Sequence, residues 1–191
     1  MTATAEQPAA TGAGPFLERR YYVDISKSTL PAPDLLRHIT CNLAELAPDL
    51  LAEFEKTEGV PDALKVGDEF HIRILGPWNG SVRVSAVEAA AFELSTLDGH
   101  PEAGRIRFSL EENGPAADSL RFQIHSWARS RDGLVAFAYG ALGLGKQVQE
   151  QTWVTFCERV VEASGGAAAG PVHVVTDNHD APEEPAEHHA R

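Results

Sequence analysis

AFELSTLDGHPEAGRIRFSL, residues 91–110, alternates apolar and polar side chains on both sides of a short glycine-bearing loop. Phe92 and Leu94 alternate with Glu93 and Ser95, and Ile106, Phe108 and Leu110 alternate with Arg107 and Ser109. A period of two places one set on each face of a pleated strand, so each segment predicts a strand with one buried and one wet face. The pattern extends in both directions. Phe70, Ile72 and Ile74 alternate with Glu69, His71 and Arg73; Val82 and Val84 with Arg83 and Ser85; Leu120, Phe122 and Ile124 with Arg121, Gln123 and His125. Such clean alternation belongs to antiparallel sheets. Asn79-Gly80 and Asn113-Gly114-Pro115 supply hairpin turns, where Gly and Asn adopt positive φ at low cost. Residues 86–94, AVEAAAFEL, also suit a helix on propensity alone.

The flanks read as helices. Pro33-Asp34 opens a run with Leu35, Leu36, Ile39, Leu43 and Leu46 at helical spacing, and Pro48 separates it from a shorter run, Asp49 to Lys56. Two short helices are therefore expected after a first strand. After Asp132-Gly133 a long segment runs to Ser164-Gly165, and within it Trp153, Phe156, Cys157, Val160 and Val161 form one apolar stripe of a C-terminal helix. The order predicts an α+β fold, a sheet whose apolar face one helix must cover.

The 191 residues suit one domain, and the ends of the chain differ in composition from its middle. Residues 1–15, MTATAEQPAATGAGP, carry neither a basic start nor an apolar run and read as a disordered leader rather than a secretory signal. The domain is expected over residues 16–165, and residues 166–191, with Asp177, Asp180, Glu183, Glu184 and Glu187, read as a disordered acidic tail. The formal net charge of −12 disfavours nucleic acid or anionic membrane as partner. Gly133 to Gly145, an uncharged and largely apolar stretch, is shorter than the ~20 residues of a membrane span. Cys41 and Cys157 lie in no paired motif, which fits a reducing cytoplasm and no structural zinc. Abundant Arg, Ala and Gly hint at a GC-rich bacterial genome.

The element order resembles the helix-grip fold of the START, polyketide-cyclase and Bet v 1-like (SRPBCC) superfamily. Thr96-Leu97-Asp98-Gly99-His100-Pro101-Glu102-Ala103-Gly104, with Arg107-Phe108 following, gives the pattern TLxGHxxxGxxRF over a limited part of the chain. That pattern is similar to the hallmark of domain of unknown function 1990 within the superfamily. The resemblance implies a curved antiparallel sheet wrapped around the long C-terminal helix, with a hydrophobic cavity between them, and it implies a pocket rather than a particular reaction.

The expected ligand is a small hydrophobic molecule, lined by Phe70, Ile72, Val82, Phe92, Leu94, Phe108, Leu110, Phe122 and Ile124 from the sheet and Trp153 from the helix. Tyr22, Tyr139 and His100 are candidates to orient it, and Trp78, in the turn GPWNG, to close the mouth. An alternative is a cyclase-type or hydrolase-type enzyme with His100 or Asp24 as acid or base; a third is an interaction module with a filled core. His100 also reads as a cap for its own loop. His125 and the arginines 73, 83, 107 and 121 fall on the polar face, where pairing with Glu69, Glu93 and Glu111 explains them. Gly140 to Lys146 matches GxxxxGK, but Gln147 replaces the Ser or Thr that holds magnesium and the sheet is antiparallel, so no nucleotide is expected. His38 with Cys41, and the histidines 173, 179, 188 and 189, do not make a metal site, and no cofactor is expected. Cys41 is expected in the core.

Overall fold

The computed structural model describes residues 4–48, 52–60, 63–74, 79–112, 119–132 and 144–179. Strand β1 (Ala13–Ser26) leads into helices α1 (Ala32–Cys41) and α2 (Leu43–Leu46), followed by β2 (Ala52–Glu58), β3 (Glu69–Ile74), β4 (Asn79–Val87), β5 (Ala91–Thr96), β6 (Glu102–Glu112) and β7 (Ser119–Ser130). Helix α3 (Leu144–Ala163) and two further strands, β8 (Ala167–Ala168) and β9 (His173–His179), complete the chain. All pairings are antiparallel, in the order β2-β3-β4-β5-β6-β7-β1, with β8 and β9 both on the free side of β1. This is the helix-grip arrangement: a large curved antiparallel sheet with a long helix against one face.

Strand parity decides which side chains meet that helix. In register, Tyr21 lies opposite Ile124, Ile124 opposite Phe108, and Phe108 opposite Phe92. All four sit on one face and join Val23, Ile25, Val82, Val84, Leu94, Leu110 and Phe122 in a single core with Phe156, Cys157 and Val160 of α3. The predicted stripe on α3 therefore covers the predicted apolar face. Leu35, Leu36, Ile39, Leu43 and Leu46 add the inner sides of α1 and α2 to the same core.

Several expectations are corrected. The run Asp49 to Lys56 is not a helix where it is described: residues 52–58 form β2, pairing Phe54 with Ile72. Its sequence, AEFEKTE, offers one large apolar side chain, too few to display a period of two. The second short helix is instead Leu43–Leu46. Residues 86–94 divide between β4 and β5, because both flanking strands pair them and tertiary pairing overrides helix propensity. The tail is ordered further than composition suggests, since His173–His179 pairs with β1 through Asp177 to Arg20 at 2.8 Å and His179 to Glu18 at 3.0 Å. The leader is also attached: Glu6 bridges Leu97, and Ala9 packs with Phe16 and Trp127. Cys41 ends exposed at the last position of α1, whereas Cys157 is buried, its thiol pushed up in pKa by desolvation. Asn113-Gly114-Pro115, Gly140 to Gly143, and the tail beyond His179 lie outside the described residues.

Candidate functional site

On the face toward α3, aromatic rings form a continuous wall. Phe92 stacks on Phe108 at 4.6 Å between centroids, Phe108 meets Phe156 at 5.5 Å, and Phe156 meets Phe122 at 6.0 Å. Trp153 stands edge-on to Phe108 at 5.8 Å. Of the expected lining residues, Phe70, Ile72, Val82, Phe92, Leu94, Phe108, Leu110, Phe122 and Ile124 are all buried on this face. The sealing is incomplete at several places, among them Leu120 on β7. Ile106 faces the same way from the central strand β6, one inward position from Phe108, yet it is only partly buried, as is Trp153.

Beyond Ile106 the inner face turns polar. Arg19 lies directly opposite Ser126, and Ser126 opposite Ile106. Arg19 and Ser126 are both buried, and Arg19 contacts Glu102 at 3.5 Å. The Tyr21 hydroxyl belongs to the same end. Burial lifts its pKa to about 12, with Arg19 acting against the lift and Glu102 and Glu150 adding to it, so the phenol stays protonated at neutral pH. These polar positions were not found from sequence. Arg19-Arg20-Tyr21-Tyr22 shows no apolar alternation, and parity became legible only once the partners of β1 were known.

The loop after β5 explains the glycine and histidine spacing. His100 is buried, and its Nδ1 lies 3.0 Å from the Glu102 amide nitrogen and 2.9 Å from the Glu102 carbonyl oxygen. Either tautomer binds the ring to that backbone, as acceptor of the amide or as donor to the carbonyl. Burial lowers the ring's pKa against the pull of Glu102, so His100 is neutral at pH 7. Its ring rests on Gly80, where any Cβ would collide with it. The Thr96 hydroxyl accepts from the Gly104 amide at 2.9 Å, and Gly104 combines a φ of +153° with an approach to the Trp127 carbonyl that excludes a side chain. Gln7 completes the loop: its Nε2 donates to the carbonyls of His100 and Glu102, both at 3.0 Å, and its Oε1 accepts from the Gly99 amide at 3.2 Å. Gln7 was missed because it lies in the apparent leader.

Two candidates are on the wrong side. Tyr22 and Asp24 alternate with Tyr21 and Val23 and face outward; Tyr22 stacks on His173 at 4.7 Å, and Asp24 takes both arms of Arg121 at 2.8 and 2.9 Å. Neither lines the space against α3, and Asp24 is no acid or base there. Trp78 and Tyr139 lie outside the described residues. His125 is on the outer face, where its Nε2 meets Glu18 at 2.6 Å and its ring lies against Trp127. The outer arginines are paired: Arg73 with Glu53 and Glu55, Arg83 with Glu69, Arg107 with Glu88. A half-open groove of about 980 Å³ crosses this face between residues 6–9 and the turn at Glu88, over Arg83, Glu93, Arg105, Arg107 and His125. Among the described residues, no group of three or more His, Cys, Asp or Glu is placed to hold a metal, and no helix is long and apolar enough to cross a membrane.

Solved structures that resemble this chain share its helix-grip fold. Zhui aromatase/cyclase from Streptomyces sp. R1128 is 12% identical, with 78% of this chain and 94% of that one covered at a TM-score of 0.55. A hypothetical protein from Helicobacter pylori is 11% identical, with 76% and 86% covered at 0.53. The di-domain aromatase/cyclase StfQ of the steffimycin biosynthetic pathway is 11% identical, with 82% of this chain but 51% of that one covered at 0.52. Within this class the chain belongs to the family described as domain of unknown function (DUF1990), whose profile matches residues 52–159. No curated protein is matched by the sequence.

Proposed function

We propose that the protein binds a small hydrophobic molecule between the inner face of the sheet and the first half of α3. The observation that carries this is the pair Ile106 and Trp153, partly buried beside the fully buried rings of Phe92, Phe108 and Phe156. Contact with that wall is worth about 25 cal/mol for each Å² of apolar ligand surface removed from water. The aromatase/cyclase names of two structural neighbours agree with a fold that handles aromatic skeletons. A cytoplasmic setting agrees with two cysteines that lie in no paired motif.

N-phenyl-1-naphthylamine, a neutral dye that brightens in apolar surroundings, tests this directly. The wild-type protein is expected to bind it with saturable fluorescence, and Ile106→Trp, which fills the accessible space, is expected to weaken binding at least tenfold. Absence of saturable binding by wild type, or equal binding by a folded Ile106→Trp variant, overturns the proposal. Native mass spectrometry of protein purified from its own host gives the complementary result, a co-purified small molecule. A cyclase-type enzyme in the same space is the second reading. The ionisable groups of Arg19, Tyr21 and Glu102 at one end of the inner face favour it over a wholly apolar pocket.

A further inference from the structure

Resting on the pocket just proposed, we infer that its ligand is a neutral apolar skeleton bearing a carbonyl oxygen, and that the hydroxyls of Tyr21 and Ser126 receive that oxygen as a pair of donors. Tyr21 is 2% exposed and Ser126 7%, and neither hydroxyl makes a hydrogen bond among the described residues. Buried polar groups are nearly always hydrogen-bonded, so two such hydroxyls side by side call for a partner from outside the chain. The other buried hydroxyls of the described residues are engaged. Thr96 donates to the Gln7 carbonyl at 2.9 Å and Ser164 to the Val161 carbonyl at 2.6 Å, and Ser119 and Thr152 have partners too.

Strand register brings the two together on the inner face. Ser126 lies opposite Ile106 on one side and Arg19 on the other, and Tyr21 lies opposite Ile124. Tyr21 and Ser126 are thus diagonal neighbours on β1 and β7, with backbones about 7–8 Å apart. Ser126 borders the partly buried Ile106, and Tyr21 stands in the same cross-strand row as Phe108, against which Trp153 rests edge-on. Two strand spacings, roughly 10 Å, separate Tyr21 from Phe108, a span that matches a fused-ring skeleton lying across Ile124. Burial keeps the Tyr21 phenol protonated at neutral pH and therefore a donor. Arg19 beside them is already engaged, with Glu102 among its partners, so this end of the face lacks an acceptor for neutral donors rather than a counter-ion. A carbonyl oxygen has two lone pairs, one for each hydroxyl. An anion in its place would meet Glu102 and Glu150, the two carboxylates that act on Tyr21.

The test measures how 2-acetylnaphthalene and 2-isopropylnaphthalene, which differ by a carbonyl oxygen against a methyl group, displace N-phenyl-1-naphthylamine from the full chain. Tyr21→Phe and Ser126→Ala each remove one hydroxyl and little else. Each is expected to weaken 2-acetylnaphthalene about three- to tenfold and to leave 2-isopropylnaphthalene within about twofold. Their thermal midpoints should be no lower than that of wild type, because the ligand-free protein loses no hydrogen bond. The anionic analogue 2-naphthoate should bind wild type more weakly than 2-acetylnaphthalene; tighter binding overturns the neutral class. If the ratio of the two neutral affinities is unchanged in either folded variant, or if 2-acetylnaphthalene leaves the dye in place, the carbonyl reading is overturned and the pocket stands. A lowered midpoint or a lost circular dichroism spectrum in either variant shows a hydroxyl bound within the protein and overturns the reading equally. If the dye itself does not bind wild type, the pocket falls and this inference with it.

Discussion

Gly80 and His100 show how one residue's absence of a side chain creates another's place. The imidazole occupies the volume that a Cβ on β4 would need, and from there its Nδ1 closes the loop through the Glu102 backbone. Gly80→Ala should therefore cost on the order of 1–3 kcal/mol by overpacking. In a His100→Ala background the same substitution should cost measurably less, because the colliding ring is gone; urea denaturation of the four proteins of the cycle measures the coupling. Equal costs in both backgrounds would show that the contact is relieved elsewhere. A pH dependence follows from the same ring. His100 is lowered by burial, and His125 by burial against the pull of Glu18, so in each case the unfolded chain binds the proton more readily than the folded one. Their contribution is present above the unfolded value of 6.5 and is lost as pH falls below it. Glu18 adds to the trend at lower pH: burial raises it, but hydrogen bonds from His125 and His179 outweigh burial and leave it lowered. The thermal midpoint is expected to drop between pH 7 and pH 5, and His100→Gln to flatten part of that slope.

At the scale of elements, legibility depended on how each strand displays its faces. β3 to β7 carry alternating apolar residues and could be read directly, as could the stripe of α3. β2 and β9 could not. β2 has Phe54 and little else to bury, and β9, HVVTDNH, is held by backbone pairing, by Asp177 to Arg20 and by His179 to Glu18, none of which has a local sequence signature. The candidate site divided for the same reason: its aromatic wall follows from alternation, whereas its polar end depends on β1, whose facing was settled by β7. β9 also protects an edge. Ending the chain before Pro171 leaves the backbone of residues 16–22 on β1 without the partners that β9 supplies, an invitation to pair with another chain. The truncated protein is expected to keep its circular dichroism spectrum but to elute as larger species in size-exclusion chromatography at raised concentration; a monomer at all concentrations would argue against this role.

For the whole molecule, burial grades from centre to rim. Phe108, Phe122, Ile124 and Phe156 show no exposure, while most of β9 is exposed or half-buried. Hydrogen exchange should reproduce that gradient, with amides shared by β6 and β7 slowest and those of β9 the first to exchange. Fast exchange throughout β6 would contradict the continuous core.

β1 also has a history imposed by its position in the chain. It is made first, yet its contacts reach far ahead: Asp24 waits for Arg121, 97 positions later, and Glu18 for His179, 161 positions later. At a synthesis rate of about 5–20 residues per second, the interval before its first sheet partner emerges is roughly 5–20 seconds. During that time a strand bearing Tyr21, Val23 and Ile25 has no sheet to join, so the newborn chain depends on chaperones or on speed at the ribosome, and a codon-level pause before β7 would lengthen the exposure of those apolar side chains.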